Sequence, residues 1–413
     1  MSPGISRSVL AGACIWILLA AGCGGSSNPA APADNSGPPV YIYAGTGAPG
    51  YGQLGLAPRD TRLYSPQDVV FSPDDAPFIV DWNNHRILEV MADADTTRLI
   101  AGVADGDFGD PCVASPTTCT DIVAADAKLN HPTDLAFLPD GRMVMCAWHN
   151  SELFIIDPTT GLMNRICGNG ARSYNGDNQP AVDAYVDLPV SVAIDPQGRV
   201  VFCDQGNMII RRIEDDGTIV TIAGIPPVLV NNALQYQFGF TGNEGPATQA
   251  RLSFNRGQIA SPSGRVAYDR HGNLFIADTQ NNCIRYVDTN GIIHQFAGVG
   301  LSPGYAGDGG PATAALLRQP RDIAIDNNDN VYIADTDNHV VRMVDSNGTI
   351  YTVVGVPRPE GSSPLSPSEV LAQNGKGAHS IRLTHPYGIA LDPSGRLWIV
   401  DTEDSVILFR DRK

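Results

Sequence analysis

The chain has 413 residues, of which 44 are Asp or Glu and 27 are Lys or Arg, so its formal net charge at pH 7 is −17. A chain this acidic is repelled by phosphate backbones and by anionic lipid surfaces, which argues against nucleic-acid binding. Only 17% of the residues are charged, whereas Gly occurs 43 times and Pro 31 times. This composition is typical of one large domain with many turns between short buried strands.

The first residues of the chain predict export. Arg7 is followed by the apolar stretch Val9–Ala21, which is too short to span a membrane comfortably, and then by Gly22 and Cys23. The pattern resembles a bacterial lipoprotein signal. The resemblance implies removal of residues 1–22, lipidation of Cys23 and a place in the cell envelope, at the outer membrane. An ordinary secretory signal, which would release the protein, is the alternative.

Residues 23–39 are predicted to form a flexible linker, since they are rich in Gly, Ser, Asn, Ala and Pro and show no apolar periodicity. A strand-forming run, Val40–Gly45, follows and matches Phe296–Gly298 further along the chain. The chain ends at Lys413 with only three strands in its last repeated unit. We therefore expect Val40–Gly45 to supply the missing fourth strand, which would otherwise leave an open edge.

Between residues 40 and 413 the chain repeats a unit of four short strands. The clearest copy contains Pro320–Ile325, Asn330–Asp335, Val340–Val344 and Ile350–Gly355. Each copy is marked by an opening proline and by the residue that closes its second strand: Pro66 and Asp81, Pro132 and Ala147, Pro189 and Asp204, Pro262 and Asp278, Pro320 and Asp335, Pro386 and Asp401. Repeats of four strands predict an all-β fold, a six-bladed β-propeller.

The opening proline, the closing Asp and an Asn three residues later together resemble the NHL repeat, best around Asp278 and Asp335. The resemblance implies an NHL propeller over roughly residues 40 to 411, but it implies no single activity, because one propeller scaffold hosts many functions. In NHL-like amidating lyases, zinc is held by histidines that follow the opening proline. Those positions carry no histidine here; they are Gln67, Thr133, Val190, Ser263, Arg321 and Tyr387.

The cysteines indicate an oxidising compartment rather than a metal site. Cys112 and Cys119 lie in one polar loop, a spacing that suits a local disulfide. Cys146, Cys167 and Cys203 occupy strand positions that ask for a small apolar residue, so we interpret them as core. The sequence contains no C-x-x-C pair, and no structural zinc site is predicted.

Antiparallel strands bring the start of the first strand and the end of the second to the same end of the ring. We call this end the loop-rich face and the opposite end, with its short hairpin turns, the tight-turn face. Binding residues are expected on the loop-rich face. Two long insertions, residues 225–261 and 356–383, also belong to it, either as a lid or epitope or simply as covers for blade edges. Asp308, in the connection motif Gly307–Thr313, is interpreted as a turn residue, because calcium would need further oxygen ligands.

The start of each first strand faces the channel mouth, with Asp68, Asp134, Ser191, Gly264, Asp322 and Gly388. The three carboxylates could hold a cation, or each could bond the backbone of the neighbouring blade. Arg321 and Tyr387 would lie beside them and could orient a polar or anionic ligand. Asp68, Asp134, Asp322, Arg321 and Tyr387 are thus the candidate binding residues.

We therefore expect an envelope-anchored NHL propeller that acts as a binding or protein-interaction scaffold through its loop-rich face. Its partner would be an envelope protein, a peptide or a glycan, and the protein would act as a monomer that contacts the membrane only through its anchor. No catalytic residue or cofactor is predicted, since no nucleophile with a partnered base is visible. The alternative is a calcium-dependent hydrolase or lyase that uses the channel carboxylates.

Overall fold

The computed structural model describes residues 36–113, 119–257, 260–359 and 361–411. The predicted signal peptide, the predicted lipidation site Cys23 and most of the predicted linker lie outside these residues. Within the described ranges, six antiparallel four-stranded blades follow one another around a common axis. The prediction of an all-β, six-bladed propeller is confirmed. No helix in the described part of the chain has the length and apolar character needed to cross a bilayer.

The strands of each blade are numbered outward from the axis, because the first strands of neighbouring blades contact one another. Their bounds are Asp68–Phe71, Pro77–Asp81, Arg86–Met91 and Thr96–Ala101 in blade 1; Pro132–Phe137, Met143–Ala147, Glu152–Asp157 and Leu162–Cys167 in blade 2; Pro189–Ile194, Val200–Asp204, Ile209–Ile213 and Thr218–Ala223 in blade 3; Val266–Tyr268, Leu274–Asp278, Cys283–Val287 and Ile292–Ala297 in blade 4; Pro320–Ile325, Val331–Asp335, Val340–Val344 and Ile350–Val354 in blade 5; Pro386–Leu391, Leu397–Asp401, Val406–Arg410 and Pro39–Ala44 in blade 6.

The ring is closed by the first described strand of the chain. Pro39–Ala44 pairs antiparallel with Val406–Arg410, and Tyr41 lies opposite Phe409. The expected closure of the last blade by the N-terminal strand is confirmed. Lys376–Gly377 pairs in turn with the outer edge of Pro39–Ala44. This edge, which would otherwise be open for aggregation, is thereby partly covered.

The strands are apolar along their length because each blade is covered on both faces by its neighbours. All five residues of Leu397–Asp401 are buried. The apolar clusters accordingly span pairs of blades, and one of them joins Phe275 and Ala277 of blade 4 to Ile323 and Ile333 of blade 5. The core is therefore a ring of layers between blades.

The connections between blades carry the remaining elements. Further two-residue strands add to the outer edges of blades 2, 3 and 4, at Ile122–Val123, Gln179–Pro180 and Gly245–Pro246. The insertion after blade 3 forms a separate hairpin, Ile225–Val230 and Ala233–Gln237, and the insertion after blade 5 contains the α-helix Pro367–Leu371. The 3-10 turns are Pro58–Asp60, Trp82–Asn84, Ala124–Asp126, Ala181–Asp183, Gln205–Asn207, Ala247–Gln249, Thr279–Asn281, Ala312–Ala314, Thr336–Asn338 and Ala378–Ser380.

A buried cluster that we call the arginine latch recurs in blades 1, 3, 4 and 5. It consists of the closing Asp, the Asn three residues later and an Arg of the third strand: Asp81, Asn84 and Arg86; Asp204, Asn207 and Arg211; Asp278, Asn281 and Arg285; Asp335, Asn338 and Arg342. All four Asp and all four Arg side chains are fully buried. Buried charges must be paired, so the latch explains why this pattern repeats.

Blade 5 shows how a latch holds the connection that precedes it. Asn338 Nδ2 donates to Asp335 Oδ2 at 2.8 Å. Arg342 donates to the carbonyl oxygens of Leu316 at 2.9 Å and Ala306 at 3.0 Å, both in the connection. Its Nη2 also lies 2.6 Å from Asp308 Oδ1. Asp308 therefore serves structure, in agreement with our interpretation of the connection motif.

Candidate functional site

An axial ring of side chains surrounds the channel at the start of the first strands. In blade 5, Asp322 pairs with Ala334, the residue before the closing Asp. In blade 4 the corresponding partner of Ala277 is Arg265, whose carbonyl accepts the Ala277 N–H at 2.9 Å. The extra residue after Pro262 thus shifts the register, and Arg265 occupies the ring position that the sequence analysis gave to Gly264.

Arg265 reaches across the axis from blade 4 to blades 1 and 2. Its Nη1 bonds the carboxylate of Asp68 and lies 2.9 Å from Asp134 Oδ1. Its Nη2 donates to the carbonyl oxygens of Gln67 at 3.0 Å and Thr133 at 2.8 Å. The cation between these two carboxylates is therefore a guanidinium of the chain itself. The one-residue insertion after Pro262 was the signal in the sequence that could have placed Arg265 in the ring.

The carboxylates of the ring also bond the backbone of the next blade. Asp134 Oδ2 accepts the N–H of Val192 at 2.8 Å, and Asp322 Oδ2 accepts the N–H of Ile389 at 2.7 Å. Ser191 Oγ accepts the N–H of Val266 at 3.1 Å in the same way. The structure thus brings the predicted residues Asp68, Asp134 and Asp322 together. Asp134 and Asp322 bond the backbone of the next blade, which was the second of the two uses considered, whereas Asp68 bonds Arg265.

Burial changes the acidity of this ring. Desolvation, opposed by Arg265, raises the pKa of Asp322 to about 6 and holds the pKa of Asp68 well above its usual range, and Asp134 raises both further. A cavity of about 290 Å³ adjoins the ring on the side of the tight-turn face, with walls that include Val70, Phe71 and Leu391. Outside the ring, the side chains that line this cavity are apolar.

A polar arc borders the mouth on the loop-rich face; its side chains are half-buried or exposed, except that of Arg321, which is buried. It contains Gln280, Gln319, Arg321, Tyr387, His385 and Glu403, from blades 4, 5 and 6. Arg321 lies over the Tyr387 ring, 4.3 Å from its centroid, and its Nη2 donates to Gln319 Oε1 at 3.2 Å. His385 Nδ1 lies 3.0 Å from Glu403 Oε2. The predicted residues Arg321 and Tyr387 are thus in contact, within a larger polar surface that the sequence analysis did not assemble.

Blades 1 and 2 border the same mouth with an aromatic arc made of Trp82, His131, Trp148 and His149. Trp82 lies 4.6 Å from His131, and Trp148 stacks on His149 at 4.2 Å, between ring centroids. Burial lowers the pKa of His131 to about 3 and that of His149 to about 4, so both imidazoles are neutral near pH 7. Sequence reasoning missed this arc because its contacts join two blades.

A second group of polar residues lies beneath the connection to blade 2. The sulfur atoms of Cys112 and Cys119 are bonded to each other in the structure. Asp110, Cys112 and Glu152 form the one cluster of potential metal ligands found among the described residues. Because Cys112 is in the disulfide, it has no thiolate to offer a metal. Glu152 instead pairs with Arg165, with 2.9 Å between Oε1 and Nη1.

The fold, the repeats and the closure define the class: the chain is a six-bladed β-propeller whose repeats resemble the NHL repeat. The sequence profile of the teneurin NHL domain matches residues 297–374. Human Teneurin-1 is 24% identical over 237 residues, which cover 56% of this chain and 8% of Teneurin-1. Protein SUPPRESSOR OF QUENCHING 1, chloroplastic, of Arabidopsis thaliana is 24% identical over 301 residues, which cover 69% of this chain and 25% of that protein. The chain thus matches only a small part of these relatives.

Solved bacterial structures share the fold. An auxiliary nutrient binding protein from Bacteroides ovatus superposes with a TM-score of 0.59 and 14% identity, covering 91% of this chain and 77% of that one. At this level of identity the similarity shows the architecture alone.

Proposed function

We propose that the protein is a cell-envelope binding protein, anchored at the outer membrane through Cys23, that takes a peptide or a glycan on its loop-rich face. The observation that carries the proposal is the polar arc. Its carboxylate, imidazole, amide and phenol groups offer hydrogen-bond donors and acceptors along one continuous border of the mouth. Polar ligands with several hydroxyl or amide groups match such a surface.

The axial ring supports docking at the mouth rather than passage through the ring. Arg265 bonds residues of blades 1 and 2 from the opposite side of the axis. A ligand that entered deeply from the loop-rich face would have to displace these bonds. Displacing them would leave buried polar groups unpaired, which costs about 1–3 kcal/mol.

The relatives agree with a general role in binding. One structural neighbour is an auxiliary nutrient binding protein, although its low identity transfers no ligand. The arc would recognise its ligand through Tyr387, whose ring is half-buried beside Arg321. Tyr and Arg are the residue types that most often carry binding energy at interfaces.

The first experiment is a screen of residues 36–413, which form the complete closed ring, against peptide and glycan arrays. The best ligand is then titrated into wild type and into Tyr387→Ala. We expect affinity to fall by about tenfold or more, as for loss of an interface hot spot. Tyr351→Ala is the matched control, since Tyr351 is 40% exposed on the outermost strand of blade 5. Equal affinity of both variants would contradict a site at the arc.

The calcium-dependent hydrolase or lyase remains the second proposal, because the 290 Å³ cavity adjoins the three ring carboxylates. In that case calcium would bind from the side of the tight-turn face, near Asp322. Elemental analysis of the protein after dialysis against metal-free buffer tests it. About one calcium ion per chain, lost in Asp322→Asn, would favour the enzyme over the binding protein.

A further inference from the structure

The hairpin between blades 3 and 4 has hydrogen-bonding edges of its own. Its strands, Ile225–Val230 and Ala233–Gln237, form a two-stranded sheet that pairs with no blade. Asn231 and Asn232 form the turn, with φ of 51° and 61°. Asn at positive φ in a two-residue turn is the arrangement that holds a tight hairpin. The register of the two strands is therefore well defined.

This register determines which backbone groups point away from the hairpin. Val230 lies opposite Ala233, next to the turn, and Leu229 lies opposite Leu234. In such a hairpin the pair beside the turn exchanges hydrogen bonds, so the N–H and C=O groups of Leu229 and Leu234 point outward. By the same alternation, those of Tyr236 point outward as well.

The two outward edges differ. On the first strand, Pro226 and Pro227 have no N–H, and proline on an edge strand prevents continued pairing. On the second strand, Leu234 and Tyr236 each have an outward N–H and an outward C=O. Among the described residues no backbone or side-chain hydrogen bond reaches these outward groups. The edge of Ala233–Gln237 is thus open, while the opposite edge is interrupted.

The hairpin itself is uncharged, and among the described residues the charged side chains that contact its second strand are two arginines, Arg251 on Gln237 and Arg256 over Tyr236. Residues 217–243 contain no Asp, Glu, Lys, Arg or His, in a chain whose net charge is −17. Leu229 is 68% exposed and Phe238 is 57% exposed. A partner can approach here without the charge repulsion that the rest of the surface imposes.

The hairpin also stands beside the mouth of the channel. The guanidinium of Arg256 lies over the Tyr236 ring, 3.2 Å from its centroid. The neighbouring Asn255 accepts a hydrogen bond from Gln205 on its carbonyl oxygen at 2.9 Å, and its side chain bonds Gln280 of the polar arc. The open edge and the arc therefore belong to one continuous surface.

We propose that the edge of Ala233–Gln237 accepts an extended, uncharged polypeptide segment as a third strand. The placement of this partner on the loop-rich face rests on the proposed function, whereas the open edge does not. An extended polypeptide supplies alternating N–H and C=O groups at the spacing of a strand, about 4.8 Å from its neighbour. Lipids and glycans lack that repeat. The partner of the loop-rich face is thus a peptide.

The test uses a random peptide library displayed on phage and selected on immobilised residues 36–413. A synthetic copy of the enriched peptide is then titrated into three proteins. Leu234→Pro removes an outward N–H from the open edge while leaving the bonds inside the hairpin. Leu229→Pro is the matched control, because it makes the same change directly opposite, on the interrupted edge. We expect about tenfold weaker binding for Leu234→Pro, the loss of one or two net hydrogen bonds, and wild-type binding for Leu229→Pro.

Hydrogen exchange gives an independent readout, since the amides of Leu234 and Tyr236 should exchange more slowly when the peptide is bound. Equal weakening by both proline variants, unchanged exchange, the absence of any enriched peptide, or self-association of the wild type through this edge would each overturn the proposal. If Tyr387→Ala abolishes binding while Leu234→Pro does not, the loop-rich face remains the site and the strand addition fails. Loss through Leu234→Pro alone would place the peptide on the hairpin.

Discussion

The arginine latches and the mouth of the channel begin at adjacent residues, yet they are built in opposite ways. The latch starts at the closing Asp and uses the same residue types in four blades. The very next residue differs around the ring, and all but the first of the six are buried: Trp82, Trp148, Gln205, Thr279, Thr336 and Thr402. Repetition thus marks the latch, and divergence begins at the next residue, in the layer that supports the polar and aromatic arcs.

The physical difference is the environment of the charges. In a latch, Asp335 and Arg342 are both fully buried, so a change in either leaves the other without a partner. At the residue after the closing Asp, the buried Thr336 and Thr402 each donate a neutral hydrogen bond to the carbonyl oxygen of the opening proline of the next blade at 2.7 Å. Trp82 and Trp148 pack against histidines instead. Different residue types serve at this position because each meets a different neighbour, a proline carbonyl for the threonines and a histidine ring for the tryptophans.

The largest effect should follow from breaking a latch. Asp335→Ala leaves the Arg342 guanidinium with only Asp308 and two carbonyl oxygens, and it removes the acceptor of the Arg318 N–H at 2.8 Å. We expect the free energy of unfolding to fall by about 3–5 kcal/mol. Urea unfolding followed by tryptophan fluorescence measures it. A loss below about 1 kcal/mol would mean that the latch is not a principal support of the blade.

The axial ring should respond less, because the carboxyl group of Asp68, whose pKa is raised by burial, can take up a proton. Arg265→Met removes the guanidinium from Asp68 and Asp134, whose charges then become uncompensated. We expect a loss of about 1–3 kcal/mol at pH 8 and a smaller loss at pH 5, where a proton replaces the missing cation.

The control for the ring is Arg265→Met combined with Asp68→Asn and Asp134→Asn, which should recover most of the stability at pH 8. The denaturant midpoints of the single and triple variants, measured at pH 5 and pH 8, show whether stability is recovered. A loss that does not change between pH 5 and pH 8 would show that Arg265 acts through packing rather than charge.

Blade 6 offers the reverse experiment, because its latch is incomplete. Asp404 stands where the latch has Asn, and Leu408 stands where it has Arg. Burial and the neighbouring Asp404 raise the pKa of Asp401 well above its usual range. A carboxyl group with a raised folded-state pKa stabilises the protein below its unfolded value near 4, and this stabilisation is lost as the pH rises through the folded-state value.

Asp404→Asn should therefore stabilise blade 6 by about 1–2 kcal/mol at pH 8 and have little effect at pH 4. The new amide can donate to Asp401 as Asn338 Nδ2 donates to Asp335 at 2.8 Å. Thermal unfolding from pH 4 to pH 8 provides the measurement. A wild type whose stability rises over that range, or a variant less stable than wild type at pH 8, would contradict the interpretation that Asp401 and Asp404 repel each other at high pH.

The parts of the fold that the sequence predicted depend on local, repeated patterns. The opening prolines and closing Asp residues set the blade register, and the unmatched run at Val40 predicted the ring closure, because each pattern is read within one blade. The ring position of Arg265 was misassigned, since a single inserted residue after Pro262 moves Gly264 out of register. The polar arc and the contact between Trp82 and His131 were missed because their members come from different blades.

The smallest effect on stability is expected at the mouth, where a substitution should weaken ligand binding while leaving the fold intact. Gln280→Ala removes a half-buried side chain that bonds other mouth residues, Asn255 among them. Because water can replace these bonds, the free energy of unfolding should change by no more than about 0.5 kcal/mol. Binding of the ligand selected on the arrays should nevertheless weaken. Gln197→Ala, in a hairpin turn of the tight-turn face, is the matched control and should leave binding unchanged. A large loss of stability in Gln280→Ala would assign the polar arc to the support of the blades, and the contrast between latch and mouth would fail.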